Sequence, residues 1–150
     1  MSLAPSNTPC DRALAQWCNR WPLDLTHHEV SVAVAFSAGA DSTALLLAAA
    51  KQWPGRVVAL HVHHGLQVAA DTFVAQARAT CEAWGIPLHL RYVNAACAPG
   101  ESPEDAARKA RYRALADMAL TTRATGVLLG QHADDQVETV MIALSRGTGL

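Results

Sequence analysis

Apolar and polar positions along this chain fall into two alternating textures. Short, bounded apolar runs rich in valine have the character of strands buried on both faces, and longer Ala/Leu-rich stretches have the spacing of helices. Val30 to Phe36 predicts a first strand, and Thr43 to Lys51 the helix that follows it. Ahead of them, Met1 to Pro9 reads as a frayed tail, Asp11 to Trp21 as a leading helix with Leu14, Trp17 and Cys18 on its packed side, and Pro22 to Glu29 as a polar turn carrying His27 and His28. Pro54-Gly55 breaks the chain before a second strand, Arg56 to His63. Leu66 to Trp84 predicts a helix ending at Gly85, with Phe73, Ala77, Cys81 and Trp84 along one face. Pro87 to Val93 is a third strand and Ala95 to Ser102 a loop. Pro103 opens a helix that runs to near Arg123, with Ala107, Ala110, Ala114, Leu115 and Met118 as its packed stripe. Gly126 to Gly130 predicts a fourth strand, and Ala133 to Arg146 a last helix that stops at Gly147 and Gly149.

Strands that alternate with helices predict an α/β fold, a doubly wound parallel sheet with helices on both faces. The leading segment, 1–28, stands before a domain spanning 29–150. In such sheets ligands bind beyond the carboxyl ends of the strands, where strand order reverses. If the fourth strand lies beside the first, two polar stretches flank one cleft: Ser37 to Ser42 (SAGADS) and Gln131 to Gln136 (QHADDQ).

Composition narrows the class without naming a function. Half the residues are hydrophobic (51%) and 17% are charged, enough apolar material for a core that needs no staples. The net charge of −1 leaves no global field for nucleic acid or a membrane, so any polyanion contact has to be local. Cys10, Cys18, Cys81 and Cys97 form no C-x-x-C pair and follow no secretory leader, which predicts reduced thiols and a cytoplasmic protein. No apolar run approaches the roughly 20 residues that cross a bilayer.

The small residues of Ser37–Ser42 lie between a strand and a helix, so backbone N–H groups and hydroxyls can approach an anion at the helix's positive end. Neither a Walker lysine nor a G-x-G-x-x-G is present. Asp41 then makes sense beside an anion chiefly through a divalent metal. Spacing alone leaves this open against a plain helix cap by Asp41 or Ser42. In the second stretch a helix would gather Asp134, Asp135 and Glu138 on one face, with His132 a turn before Asp135. The macrodipole alone favours acidic residues there, but four ionisable groups with two glutamines go beyond capping. Arg108, Lys109, Arg111 and Arg113 form a basic patch, a pattern that solvated helix faces also show.

SAGADS resembles the Ser-Gly-Gly-x-Asp-Ser signature of the PP-loop ATP pyrophosphatases, with Ala38 in place of the first glycine, a departure that adds a methyl where a positive φ is at stake. Three further stretches resemble the tRNA(Ile)-lysidine synthetases within that superfamily. HVHHGL (61–66) is similar to their His-Val-x-His-Gly-Leu and ARKARY (107–112) to their Ala-Arg-x-x-Arg-Tyr. QHADDQVETVMIALSRGTGL (131–150) is similar to their His-x-Asp-Asp-Gln-x-Glu-Thr block, although Gln131 stands where many members have His. The resemblance implies a Rossmann-like five-stranded sheet in the order 3-2-1-4-5, and a chain that in the family continues past the RGTGL that ends at Leu150.

It also implies a reaction. ATP adenylates the C2 oxygen of the wobble cytidine in the CAU anticodon of tRNA(Ile), and the side-chain amine of free lysine displaces AMP to give lysidine. ATP would lie on Ser37, Ala38, Gly39, Ala40, Asp41 and Ser42, with Asp41 holding Mg²⁺ on the leaving pyrophosphate. His63, His64 and Gly65 would approach base and ribose, and Arg111 a phosphate or the anticodon backbone. The lysine ammonium must lose a proton before it attacks, and His132, Asp135 and Glu138 are the candidate groups. Three alternatives stand beside it: a thiolase of the same superfamily, which would typically show C-x-x-C; a zinc hydrolase using His61, His63, His132, Asp134 and Asp135; and an ATP-binding piece without turnover.

Overall fold

The structure is a computed structural model that describes residues 7–23, 25–26, 31–63, 69–94, 97, 99–100, 102–133 and 136–143; at 69–70, 131–133 and 136–143 it describes the backbone alone. Helix α1 (Pro9–Arg20) begins with a proline in its first turn and a complete capping box. Thr8 Oγ1 accepts the Asp11 N–H at 3.1 Å, and the Thr8 N–H donates to Asp11 Oδ2 at 2.8 Å. Strand β1 (Ser31–Ala35) leads through a turn into α2 (Ala40–Gln52), and β2 (Val57–His63) into α3 (Ala69–Trp84). Then follow β3 (Leu88–Tyr92), α4 (Pro103–Thr121), β4 (Ala124–Ala133) and β5 (Gln136–Ala143).

The sheet order is β3-β2-β1-β4-β5. β1, β2, β3 and β4 are mutually parallel, as the strand–helix alternation requires, and β1 lies between β2 and β4. This is the expected reversal point. The fifth strand departs from expectation: β5 runs antiparallel to β4, pairing Gly126 with Ala143 through to Ala133 with Gln136. The sheet is therefore four parallel strands with one antiparallel edge strand, and Gln136–Ala143 is strand where a helix was expected. Four of its eight residues, Val137, Thr139, Val140 and Ile142, are β-branched, which favours extended backbone over helix.

Two apolar layers sandwich the sheet. On one face, Val32 and Val34 pack with Leu45, Leu46 and Ala49 of α2, Ala77 and Cys81 of α3 and Leu14 of α1. On the other, Ala33, Leu60, Val127 and Leu129 pack with Leu115, Met118 and Ala119 of α4. Alternate residues of β1 thus feed opposite layers, the pattern of a strand covered on both sides. Two helix faces differ by one position from the periodicity. In α3 the buried line is Val74, Ala77 and Cys81, with Phe73 45% exposed; in α4 it includes Ala106 and Ala119, with Ala107 and Ala110 half-buried. Lys51 of α2 reaches Asp11 of α1 at 3.0 Å and ties the leading helix to the layer beneath it.

Candidate functional site

Between β1 and α2 the chain leaves the sheet in four residues, Phe36 to Gly39. Phe36 is buried, and its N–H makes the last rung to the Leu60 carbonyl at 2.8 Å. Ala38 then takes φ +66, the left-handed region that an alanine enters at a cost and glycine enters freely. Its methyl is only 4% exposed and packs into the α2 side of the core. Gly39 is the N-cap of α2 at φ −76, ψ 167, and no side chain caps the helix.

The hydroxyls in this turn are used to shape it. Ser42 Oγ donates to the Gly39 carbonyl at 3.1 Å and accepts the Ser37 N–H at 3.2 Å, and the Ser37 and Ser42 hydroxyls lie 3.0 Å apart. Ser37 Oγ accepts the Gly39 N–H at 3.3 Å. Ser42 is thereby buried, while Ser37, Ala40 and Asp41 face outward. The first amides of α2, which no intrahelical carbonyl can satisfy, gather there with an exposed carboxylate beside them. This arrangement suits an anion at the helix's positive end.

Strand β4 brings the second signature stretch to the same place. A Cβ built on Gly130 would lie 3.7 Å from the carbonyl carbon and oxygen of Asp41 and 3.6 Å from Leu45 Cδ2. Residue 130 is therefore in van der Waals range of the first turn of α2, and the backbone from Gln131 onward leaves from beside Asp41. Within β4 and β5, Gln131 lies opposite Glu138 and His132 opposite Val137. The helix expected from Ala133 onward is replaced at Gln136–Ala143 by this strand register. Asp134 and Asp135, together with the side chains of His132 and Glu138, lie outside the described residues, as do His27, His28, His64 and Gly65.

The carboxyl end of β2 carries two buried histidines on the α2/α3 face. His61 Nδ1 lies 2.6 Å from the Phe36 carbonyl, and burial holds its pKa below the ordinary histidine value, with His63 adding to the depression against the pull of that hydrogen bond. His63 Nε2 pairs with Asp71 Oδ1 at 3.1 Å, and its ring lies against Tyr92, centroids 4.8 Å apart. Sequence reasoning placed His63 at this end and considered His61 only as a metal ligand. The contact to Phe36 was beyond it, because period-2 spacing assigns a face but not a partner.

Arg111 lies on α4, on the opposite face of the sheet from α2. It is half-buried as expected, its Nε is enclosed with no hydrogen-bond partner among the described residues, and its guanidinium sits 5.5 Å from the Tyr112 ring centroid. Arg108, Lys109 and Arg113 are exposed. Three thiols are poorly suited to nucleophilic work: partial burial raises the pKa of half-buried Cys10 and Cys18, and burial pushes Cys81 up to about 11. Among the described residues no three His, Cys, Asp or Glu side chains gather in a metal-binding group; the side chains of His132, Asp134 and Asp135, which the zinc alternative also needs, lie outside them. No helix among those residues is long and apolar enough to cross a membrane.

Comparison with known proteins agrees with this geometry. A tRNA(Ile)-lysidine synthase of Polaromonas naphthalenivorans is 65% identical over 117 residues, covering 78% of this chain and 36% of that protein. The enzyme of the same name from Burkholderia mallei is 46% identical over 123 residues, 81% of this chain and 25% of its own length. The one from Bordetella pertussis is 47% identical over 121 residues, 79% and 38%. The chain thus spans well under half the length of these curated relatives. Among solved structures, a U34-tRNA thiolase of Methanococcus maripaludis superposes with a TM-score of 0.66 at 20% identity, covering 84% of this chain and 46% of that one, which supports the fold. The family model for the PP-loop domain matches residues 7–150. With that match across nearly its whole length, and with the turn and strand order described above, the chain belongs to the PP-loop domain family.

Proposed function

We propose that this chain forms the ATP-activating part of a tRNA(Ile)-lysidine synthetase, a ligase that joins free lysine to C2 of the wobble cytidine of tRNA(Ile) through an adenylated intermediate. The observation that carries the proposal is the opening of α2: an uncapped helix start, a backbone bent through Ala38, and two hydroxyls bonded to each other rather than across the helix amides. A triphosphate is the ligand for which that arrangement is suited. The relatives bearing the lysidine synthase name supply the choice of substrate.

In this reading the amides of Ala40 to Ser42 receive the phosphates, and the bend at Ala38 lets the chain pass close beneath them. The C2 oxygen of cytidine attacks the α phosphorus, the bond to the β-phosphate oxygen breaks, and pyrophosphate leaves toward the positive end of α2. Lysine's amine then attacks C2, and AMP departs with the former C2 oxygen. Asp41 is exposed at the mouth of the turn, and one carboxylate together with phosphate oxygens and water is a donor set that Mg²⁺ accepts. Bound there, Mg²⁺ would neutralise charge on the leaving pyrophosphate. His63 and Gly65 would serve the base and ribose, and Arg111 would meet a phosphate. His132, Asp135 and Glu138 are the groups that would take the lysine proton or hold its ammonium. The setting in this reading is the cytoplasm, where ATP, lysine and tRNA meet.

Net charge argues that the 150 residues alone hold tRNA weakly, because such affinity is built from many phosphate contacts and the one dense group of exposed cations among the described residues is Arg108, Lys109 and Arg113. Calorimetric titration with ATP–Mg²⁺ should give binding. Incubation with ATP, labelled lysine and tRNA(Ile) bearing the CAU anticodon should transfer little label compared with a full-length lysidine synthase. Absence of ATP binding would overturn the reading, and ATP-dependent thiolation of the tRNA would replace it with the thiolase alternative.

A further inference from the structure

A strand leaving a parallel sheet carries its last backbone groups away from the ladder, and each buried one needs another partner. β1 leaves after Phe36: the register ends with Ala35 opposite Leu60, and the Phe36 N–H makes the final rung. The next acceptor is the Phe36 carbonyl, and what faces it is a side chain, His61 Nδ1 at 2.6 Å. A carbonyl oxygen only accepts, so Nδ1 carries the proton. His61 is 4% exposed, and burial lowers its pKa, which favours the uncharged imidazole. One residue beyond Phe36 the hydroxyl-bonded turn begins, and two residues beyond it Ala38 sits at φ +66.

We infer that His61 is a positioning residue for the phosphate turn: its Nδ1–H, held on the Phe36 carbonyl, fixes the direction in which the chain leaves β1 and so the aim of the first amides of α2. The ring projects from β2 onto the same face of the sheet as α2, so it supports the turn from below. Because it acts through the Phe36 peptide, it touches no substrate. A buried histidine that merely satisfied its own polarity would, when replaced, weaken the whole fold evenly. A positioning histidine, when replaced, loosens the turn ahead of the rest.

The test has one arm that needs no substitution and two that do. Nitrogen NMR of the wild-type chain should show the Nδ1–H tautomer at His61; the Nε2–H tautomer would overturn the inference. Hydrogen exchange at the Ser37 and Gly39 amides, both bonded to hydroxyls in the turn, should quicken by roughly tenfold in His61→Leu. It should return close to the wild-type rate in His61→Asn, whose amide can donate to the same carbonyl, and α1 and α4 should exchange as in wild type. Unchanged exchange in the turn, or an equal rise throughout α1 and α4, would overturn it. Should His61→Leu fail to fold, His61→Asn and the tautomer decide: fast exchange in the asparagine variant counts against the inference. The third arm rests on the ATP reading: ATP–Mg²⁺ affinity should fall by roughly tenfold in His61→Leu and recover in His61→Asn. If the wild-type chain binds no ATP, that reading fails by itself, and exchange and tautomer still judge His61.

Discussion

Two helices of this domain begin in opposite ways. α1 closes its own end: Thr8 caps, Asp11 reaches back to the Thr8 N–H, and Lys51 neutralises that carboxylate. α2 has an aspartate in its first turn as well, but Asp41 is the second residue of the helix, whereas the capping box requires the third. The third residue there is Ser42, whose hydroxyl is turned onto the Gly39 carbonyl and toward Ser37. A shift of one position separates a carboxylate that completes a helix from one that stands outside it. α1 gains stability from its cap; α2 begins without a side-chain cap and with an exposed carboxylate in its first turn.

The largest effect expected from breaking this contrast is at Asp41. Asp41→Asn keeps the shape of the turn but removes the charge that would hold Mg²⁺, so pyrophosphate release should fall by at least about a hundredfold. ATP should still bind measurably, and the melting temperature should barely move. Release at the wild-type rate in millimolar Mg²⁺ would remove Asp41 from the chemistry.

Giving α2 the kind of cap that α1 has should come next. Gly39 has extended backbone angles open to any residue, and an added Cβ would meet only Ser37 Oγ at 3.4 Å. Gly39→Asp would accept from the first amides and place a negative charge where a phosphate would lie. Stability should hold or rise by a few tenths of a kcal/mol, while ATP affinity drops more than about tenfold. If affinity is unchanged, the helix start is not the anion site.

How much of this was legible from residues alone differs between the same regions. The β1–α2 unit was readable because Val30–Phe36 and Thr43–Lys51 contrast in composition, and because the small residues between them leave little choice but a tight turn. Even the positive φ at Ala38 was signalled, by an alanine standing in a glycine's place. The capping box of α1 was missed although Thr8 and Asp11 carry its spacing, since the polar tail before Pro9 drew the boundary too late. Phe73 reads as buried because it stands four residues before Ala77, but Val74, three residues before Ala77, satisfies the same helical face and takes the buried place. In 136–143 two periods compete: Val137, Val140 and Met141 fit a helix, while the β-branched residues fit a strand that must pair with β4. Local pattern cannot arbitrate between them, because the pairing partner lies elsewhere in the chain.

Removing the cap of α1 should give a moderate, purely structural effect. Thr8→Ala ought to cost about 1 kcal/mol of stability and leave ATP affinity alone, as measured by denaturant unfolding beside calorimetry. The same helix start carries an acid dependence. Partial burial works to raise the Asp11 pKa, but the hydrogen bonds from Thr8 and Lys51 outweigh it and hold the carboxyl below its usual value. A depressed carboxylate pKa means that the unfolded chain binds the proton more readily, so this contribution is complete above about pH 4 and is lost as pH falls through the folded value. Asp11→Asn should therefore flatten the acid limb of the stability profile; an unchanged limb would mean that the box is not formed in solution.

The smallest change is expected where three terms nearly cancel. In Ala38→Gly, relief of the left-handed backbone returns about 1–2 kcal/mol. Against it stand the loss of a buried methyl, worth about 0.8 kcal/mol, and the larger unfolded-state entropy of glycine, about 0.5–1 kcal/mol. The melting temperature should hence stay nearly where it is. The turn keeps its shape with either residue, because the bonds among Ser37, Gly39 and Ser42 do not involve the side chain of residue 38. ATP affinity should then be equal or somewhat tighter, since glycine lets the backbone settle onto the phosphates without a methyl to accommodate. A tenfold loss would show instead that the Ala38 methyl, wedged into the core beneath the turn, is what holds the amides of α2 in their aim.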